Sequence, residues 1–357
     1  MDKQIMREAE YHAAAVPPTA PAMPPAPAPN AAGPAKLARS MVVGLAVAVV
    51  AYTLWVLWAD FDGLRSAFAR LPATSLVAAC ALSFANYLVR FARWQLYLRW
   101  LGCTLPPGAS FRIHLAGLAL TVSPGKLGEA VKSWLLLARI GAPVATTAPI
   151  VVAERATDLL GFLALLAVCG SSVLDGAEWI AWSTLALLGL LLSGLWCRPL
   201  QEAVLARAAR RPALAGAAAA LRGSLASSRS LMSPARLLGP TLLAAAGWFL
   251  ECLGFHLLAS TFGPLELAES TAIFALGALA GAVAFLAPGG VGVTEASMTA
   301  LLRHRYASLG VGGAAGAAAA ATLAARLCTL WFAVGVGWIA LWLERRAIRR
   351  HDAELSN

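Results

Sequence analysis

Two otherwise apolar stretches of this chain are broken at matching places, and a break inside an apolar stretch leaves a polypeptide few ways to fold. The first reads Ser123-Pro124-Gly125-Lys126-Leu127-Gly128-Glu129 and the second Ala287-Pro288-Gly289-Gly290-Val291-Gly292-Val293-Thr294-Glu295. Proline removes a backbone donor and glycine permits a sharp turn and a close approach, so neither sequence continues as a regular helix. An unsatisfied amide in hydrocarbon costs several kcal/mol, which confines irregular backbone to places where protein buries it or a watery cavity solvates it. The pair therefore points to a polar site inside a membrane domain, at corresponding places in two halves of the chain.

Of the 357 residues, 59% are hydrophobic and 13% charged, too few charges to cover a soluble globule of this size, while the apolar runs reach spanning length. The fold class expected is all-α, a polytopic membrane helical bundle of about six full spans plus two re-entrant hairpins, one at each break. A net charge of +10 would suit nucleic acid, but the basic residues gather beside apolar segments and no nucleic-acid motif accompanies them. Topology explains them better, and no nucleic-acid partner is expected. Cys80, Cys103, Cys169, Cys197, Cys252 and Cys328 are scattered without C-x-x-C spacing, and the histidines are spread along the chain. No metal site and no cofactor is expected.

Residues 1–39 form an Ala/Pro-rich tail that cannot bury a core and reads as a disordered cytoplasmic segment. The first apolar run begins near Met41, after Lys36 and Arg39, so no cleavable signal peptide is expected. The membrane domain covers 40–343, in halves of about 40–197 and 240–343 joined by a basic connector, 198–239, and followed by a basic tail, 344–357. Full spans are expected at 41–58, 73–89, 147–169, 179–196, 240–262 and 312–343.

The broken segments are 111–140 and 271–302, and halves of about thirteen residues in the first are too short for a roughly 30 Å hydrocarbon core at 1.5 Å per residue. With the first hairpin entering from the cytoplasmic side and the second from outside, both termini are cytoplasmic. Nearly every basic cluster then obeys the positive-inside rule, with Arg303 and Arg305 as exceptions. The connector carries Arg198, Arg207, Arg210, Arg211, Arg222, Arg229 and Arg236 against Glu202, which suggests in part an amphipathic helix on anionic lipid. Opposed hairpins are the mark of an inverted repeat, with loose register: Pro124 to Pro288 is 164 residues, Glu129 to Glu295 is 166 and Arg155 to Arg326 is 171.

After each break a half-helix should present unpaired N–H groups and a partial positive charge, a natural seat for an anion, to which Lys126 and Lys132 add charge. Glu129 and Glu295 read equally as caps on those half-helices and as gates or partners of a cation. Glu154, Arg155 and Asp158 form a compact cluster, either a packing salt bridge or part of a binding site in which Arg155 neutralises one acid and leaves the other for Lys126, Lys132 or a ligand. Arg326 stands alone in the last span, with Glu295 or Glu251 as its expected counter-ion. Asn86, Arg90 and Arg93 fall at the expected cytoplasmic end of the second span, as ordinary snorkelling anchors or as interfacial headgroup contacts.

The string Pro124-Gly125-Lys126-Leu127-Gly128-Glu129 with Lys132, then Glu154-Arg155-x-x-Asp158, Pro288-Gly289-Gly290-Val291-Gly292-x-x-Glu295 and Arg326-Leu327 resembles the lysylphosphatidylglycerol synthase transmembrane region, or flippase-like domain, family. Asn86-Tyr87 with Arg90 and Arg93-Trp94 matches its early motif. The resemblance covers about residues 40–343 and implies a domain in the bacterial cytoplasmic (inner) membrane that moves or binds lipids. These include aminoacylated phosphatidylglycerol and polyprenyl-linked lipids, and stand-alone members are associated with hopanoid biosynthesis. In bifunctional members a further soluble domain carries aminoacyl transfer; this chain ends at Asn357, so that activity is not expected here. Lys126 stands where the family often has Arg, keeping the charge and losing the bidentate fork for phosphate.

The preferred expectation is a lipid transporter, not an enzyme, in which a headgroup enters between the hairpins and meets Lys126, Arg155 and half-helix amides. An accessory subunit that docks a lipid-modifying enzyme through the basic connector is the alternative. A membrane-embedded enzyme has little support, because no nucleophile–base pair stands out.

Overall fold

A computed structural model describes residues 61–123, 129–169, 178–284 and 290–355, and every described residue with regular structure is helical. The tail, the span expected at 41–58 and the break residues Pro124, Gly125, Lys126, Gly128, Pro288 and Gly289 lie outside the described residues. The helices are α1 (Phe61–Phe68), α2 (Ala73–Trp100), α3 (Pro107–Leu118), α4 (Val131–Ile140), α5 (Val144–Thr147), α6 (Pro149–Cys169) and α7 (Glu178–Trp196). There follow α8 (Arg198–Ala209), α9 (Pro212–Leu231), α10 (Pro234–Ala259), α11 (Leu267–Val283), α12 (Val293–Ser308) and α13 (Ala314–Arg326). A π turn (Leu327–Trp331) joins α13 to α14 (Phe332–Leu355).

Four helical runs among the described residues are long and apolar enough to cross a membrane: Ala73–Trp100, Trp179–Trp196, Pro234–Ala259 and Ala314–Arg349. The protein is a multi-pass membrane protein. α6 is long enough as well, but Glu154, Arg155 and Asp158 interrupt its apolar sequence, and it survives in the bundle because those side chains turn inward to partners.

Contacts at the helix ends fix the topology. Arg70 lies over the Phe262 ring at 5.5 Å and Tyr306 Oη donates to the Ala259 carbonyl at 2.5 Å, which gathers the start of α2, the end of α10 and the end of α12 at one end of the bundle. At the other end Arg236, at the start of α10, lies over Trp100 at the end of α2 at 5.1 Å, and Trp94 Nε1 donates to Ser110 at the start of α3. α2 and α10 are therefore antiparallel. Their contact is close because Gly254 packs on Ala79: a Cβ on Gly254 would meet the Ala79 backbone at 3.4 Å.

Both broken segments are hairpins, and each has its mouth stapled by an acid. Glu344 on α14 receives Arg112, near the start of α3, at 2.7 Å and Arg139, near the end of α4, at 3.9 Å. The two arms of the first hairpin thus open beside one carboxylate, at the Trp100 end. In the second hairpin Glu269, in the first turn of α11, pairs with Arg305, in the last turn of α12, at 2.5 Å. Its mouth lies at the Phe262 end, so the hairpins enter from opposite ends. Their tips converge, since Val122 and Val291 belong to one apolar cluster with Leu330 and Val334.

Two sequence expectations need correction. The second span does not end at Arg90: α2 continues to Trp100, and Asn86, Arg90 and Arg93 are buried rather than snorkelling at an interface. Charge marked the wrong boundary because acids of α6 and α10 compensate it from inside. The last span does not end at Leu343, because Glu344 is fully buried by Arg112 and the helix continues beyond it. Arg305, an exception to the charge rule, is held by Glu269. The connector forms α8 and α9, and α9 is tied to the bundle by Ser224 Oγ donating to the Ala145 carbonyl at 2.7 Å.

Candidate functional site

A cavity of about 210 Å³ lies where the hairpin tips meet. Its polar wall comes from Arg90 on α2, Arg155 and Asp158 on α6, Glu251 on α10 and Arg326 on α13, and both hairpins contribute, through Thr121 on one side and Gly290 and Thr294 on the other. Helical spacing explains why these residues share a wall. On α6, residues 155, 158, 159 and 162 lie on one face, and on α10 Trp248 and Glu251 are three apart.

Glu129, just past the first break, accepts from Thr121 Oγ1 at 2.9 Å and pairs with Arg155 Nη2 at 3.2 Å. Arg155 also reaches Asp158 at 3.1 Å, one turn along α6. From α2, Arg93 reaches the same Asp158 at 2.8 Å and donates to Thr157 Oγ1 at 3.0 Å. Past the second break Glu295 does two jobs with its two oxygens. Oε2 accepts the Gly292 N–H at 2.6 Å, capping α12, and Oε1 receives Arg326 Nε at 2.5 Å. Cap and counter-ion hold together, and Glu295 rather than Glu251 pairs with Arg326. Gly292 has φ +90° and Gly290 φ +71°, backbone that a side chain would strain, which is why the half-helix is entered through glycines.

The two halves repeat this device, since an acid after each break holds an arginine of the next long helix that faces the cavity. The two halves also touch each other. Asn86 Nδ2 donates to Glu251 Oε1 at 2.6 Å across a separation of 165 residues, between the 164 that relates the prolines and the 166 that relates the acids. Residues that are equivalent under a pseudo-two-fold axis touch one another only near that axis. Gly247 makes room there, because a Cβ on it would stand 2.5 Å from Asn86 Oδ1.

Lys132 and Glu154 are brought together at 2.6 Å, but as a buried pair behind the wall, with the ammonium 4.7 Å from the Trp94 ring and its stem packed over Gly117. Of the residues singled out in the sequence, Arg90, Arg155, Asp158, Gly290 and Arg326 border the cavity, and Glu129, Glu295, Arg93 and Asn86 hold those that do. Sequence reasoning named Glu251 only as a possible counter-ion and missed Trp248 and Phe162. A lone carboxylate at the repeat spacing from Asn86 was the available signal for Glu251; nothing local marks the aromatics.

Among the described residues inside the bundle, Arg90, Arg93, Lys132, Arg155 and Arg326 balance Glu129, Glu154, Asp158, Glu251 and Glu295, which is how so many charges are tolerated in an apolar fold. Among the described residues, the cavity wall itself is less even, with three arginines against Asp158 and Glu251. Arg90 is buried at 7% exposure and makes no hydrogen bond or ion pair among the described residues; the Trp248 ring lies 5.5 Å from its guanidinium carbon. The Nη2 of Arg326 and the Nε of Arg155 also lack partners there. Guanidinium donors that lack acceptors among the described residues fit a guest rich in acceptor oxygens.

The profile of the family described as Lysylphosphatidylglycerol synthase TM region matches residues 41–337. The chain belongs to that family, and the match spans both hairpins and every residue of the site. No curated protein matches the chain.

Proposed function

We propose that this member of the Lysylphosphatidylglycerol synthase TM region family is a lipid transporter of the bacterial cytoplasmic membrane, which takes an anionic headgroup into the central cavity and passes it between leaflets. The supporting observation is Arg90, buried with no hydrogen bond or ion pair among the described residues, at a cavity that Arg155 and Arg326 also face. A phosphate there would take up the donors left open among the described residues. No covalent step is needed: the work is binding, orientation and exchange of access.

The opposed hairpins give a physical basis for that exchange. Loosening the Glu344 staple would open the cavity toward the Trp100 end, and loosening Glu269–Arg305 would open it toward the other. The basic connector and the arginines after Glu344 support, by the positive-inside rule, a cytoplasmic assignment of the Trp100 end and, with the sequence reading, of both termini. The test is leaflet sidedness of fluorescent phosphatidylglycerol in vesicles reconstituted with the full chain. Wild type should speed its exchange, and Arg90→Ala should return the rate toward that of protein-free vesicles. Equal rates for wild type and Arg90→Ala would remove the proposed role of the cavity.

A further inference from the structure

We infer that the apolar flank of the cavity, between α6, α7 and α11, is a slot through which the acyl chains of a bound two-chain lipid pass into the bilayer while the headgroup stays inside. The inference rests on the headgroup reading above and adds what that reading leaves open, the path of the tails.

Volume sets the problem. At about 210 Å³ the cavity is smaller than the roughly 300–1,000 Å³ pockets that enclose a drug-sized ligand, so it can take a headgroup but not two fatty chains. The chains must leave through a wall. Two kinds of wall are present. α2, α10 and α13 contribute Arg90, Glu251 and Arg326 and are tied together by Asn86–Glu251 and by Tyr87 Oη donating to the Thr329 carbonyl at 3.3 Å, in the π turn that follows α13. Opening that side would break hydrogen bonds in hydrocarbon.

The opposite wall is formed by Leu159 and Phe162 on α6, Leu187 on α7, and Phe274, Ala278 and Ala282 on α11. Leu159, Leu187 and Ala278 are partly exposed and Ala282 is exposed, so this wall already reaches the lipid-facing surface. A stack marks the transition from polar to apolar: Arg90 lies over Trp248, and Trp248 packs on Phe162 with ring centroids 4.6 Å apart. Along α6 the same change takes one turn, from Arg155 and Asp158 to Leu159 and Phe162.

α7 is held at two levels, and Leu187 lies beside the second of them. Ile180 joins one apolar core and Leu188 the other, while Thr184 Oγ1 bonds within its own helix, to the Ile180 carbonyl at 2.7 Å. Leu187 lines the cavity wall beside Leu159 and Phe162 of α6 and Phe274 of α11, apolar side chains throughout. In a bilayer such a contact is cheap to exchange, because lipid tails are as apolar as leucine and no hydrophobic force holds the helices together. An acyl chain can replace α7 against α11 without exposing a polar group.

The test uses the full chain in phosphatidylglycerol vesicles containing a phosphatidylglycerol with a photoreactive diazirine at mid-chain, and maps adducts by peptide mass spectrometry. Adducts are expected on α6, α7 and α11 around Leu159, Leu187 and Ala278, and Ala278→Trp, which fills the slot, should remove them. Leu187→Trp fills it from α7 and should act alike, so the reading does not hang on one variant folding. Glycerol phosphate, a headgroup without tails, should stabilise wild type against heat. Adducts indifferent to both Trp variants, or Trp-sensitive adducts on α2, α10 or α13, would overturn the slot. Slot adducts without stabilisation of wild type by glycerol phosphate would leave the slot and overturn the headgroup reading.

Discussion

Replacing Glu295 by alanine should destabilise the protein more than any other single truncation at the second hairpin. Two interactions go at once: the cap on the Gly292 N–H at 2.6 Å and the pair with Arg326 at 2.5 Å, from a carboxylate that is 1% exposed. Removing one partner of a buried pair leaves the other charge uncompensated, at about 3–5 kcal/mol. At roughly 2 °C per kcal/mol for a chain of this size, the melting temperature in detergent should fall by about 6–10 °C. Glu295→Gln keeps the shape and an acceptor for Gly292, and should lose about 1.5–3 kcal/mol.

The double variant Glu295→Ala with Arg326→Met is the informative one, because it removes the orphaned charge. Its loss should be smaller than the sum of the single losses by about 2–3 kcal/mol, the coupling expected for residues in direct contact. Thermal unfolding followed by tryptophan fluorescence on all four proteins gives that cycle. Losses that simply add would mean that the pair does no work in holding the hairpin tip, and would remove the physical basis for repeating the device in both halves.

Other perturbations separate packing, strain and stapling. Gly247→Ala places a Cβ 2.5 Å from Asn86 Oδ1 and should cost about 1–3 kcal/mol, most of it recovered when Asn86→Ala is added, by the same unfolding assay. Gly292→Ala meets nothing within 4 Å yet sits at φ +90°, so a loss of about 1–2 kcal/mol would come from backbone strain alone. Gly189→Ala on α7, equally unhindered but in regular helix, should instead gain up to about 1 kcal/mol. Glu344→Gln should speed amide exchange in α3 and α4 and leave α11 and α12 unchanged, because its partners Arg112 and Arg139 belong to the first hairpin.

What the sequence revealed and what it hid divide along a physical line. Local chemistry was legible. The Pro-Gly breaks interrupt their helices, with α3 ending at Leu118 and α4 beginning at Val131, and α11 ending at Val283 and α12 beginning at Val293. The glutamates that follow them are buried partners, as their cost in an apolar segment suggested. Compensation across the fold was not legible. Arg90 and Arg93 read as a membrane edge because nothing near them in sequence neutralises them; their acids arrive from α6 and α10. Lys132 read as part of the binding site, but Glu154 claims it across 22 residues. Glu344 read as the start of a solvated tail, and only the return of both arms of the first hairpin gives it a role.

The topology itself can be read from the two sides of the membrane. In a background whose six native cysteines are replaced, single cysteines at Thr104 and Ile140 flank the first hairpin, and at Leu267 and Ser308 the second. A membrane-impermeant maleimide applied to sealed vesicles of one orientation should label Thr104→Cys and Ile140→Cys from one face only, and Leu267→Cys and Ser308→Cys from the other only. A pair split between faces would turn that hairpin into a full crossing, and all four sites on one face would abolish the inversion; in either case the hairpin tips would no longer meet over a central cavity.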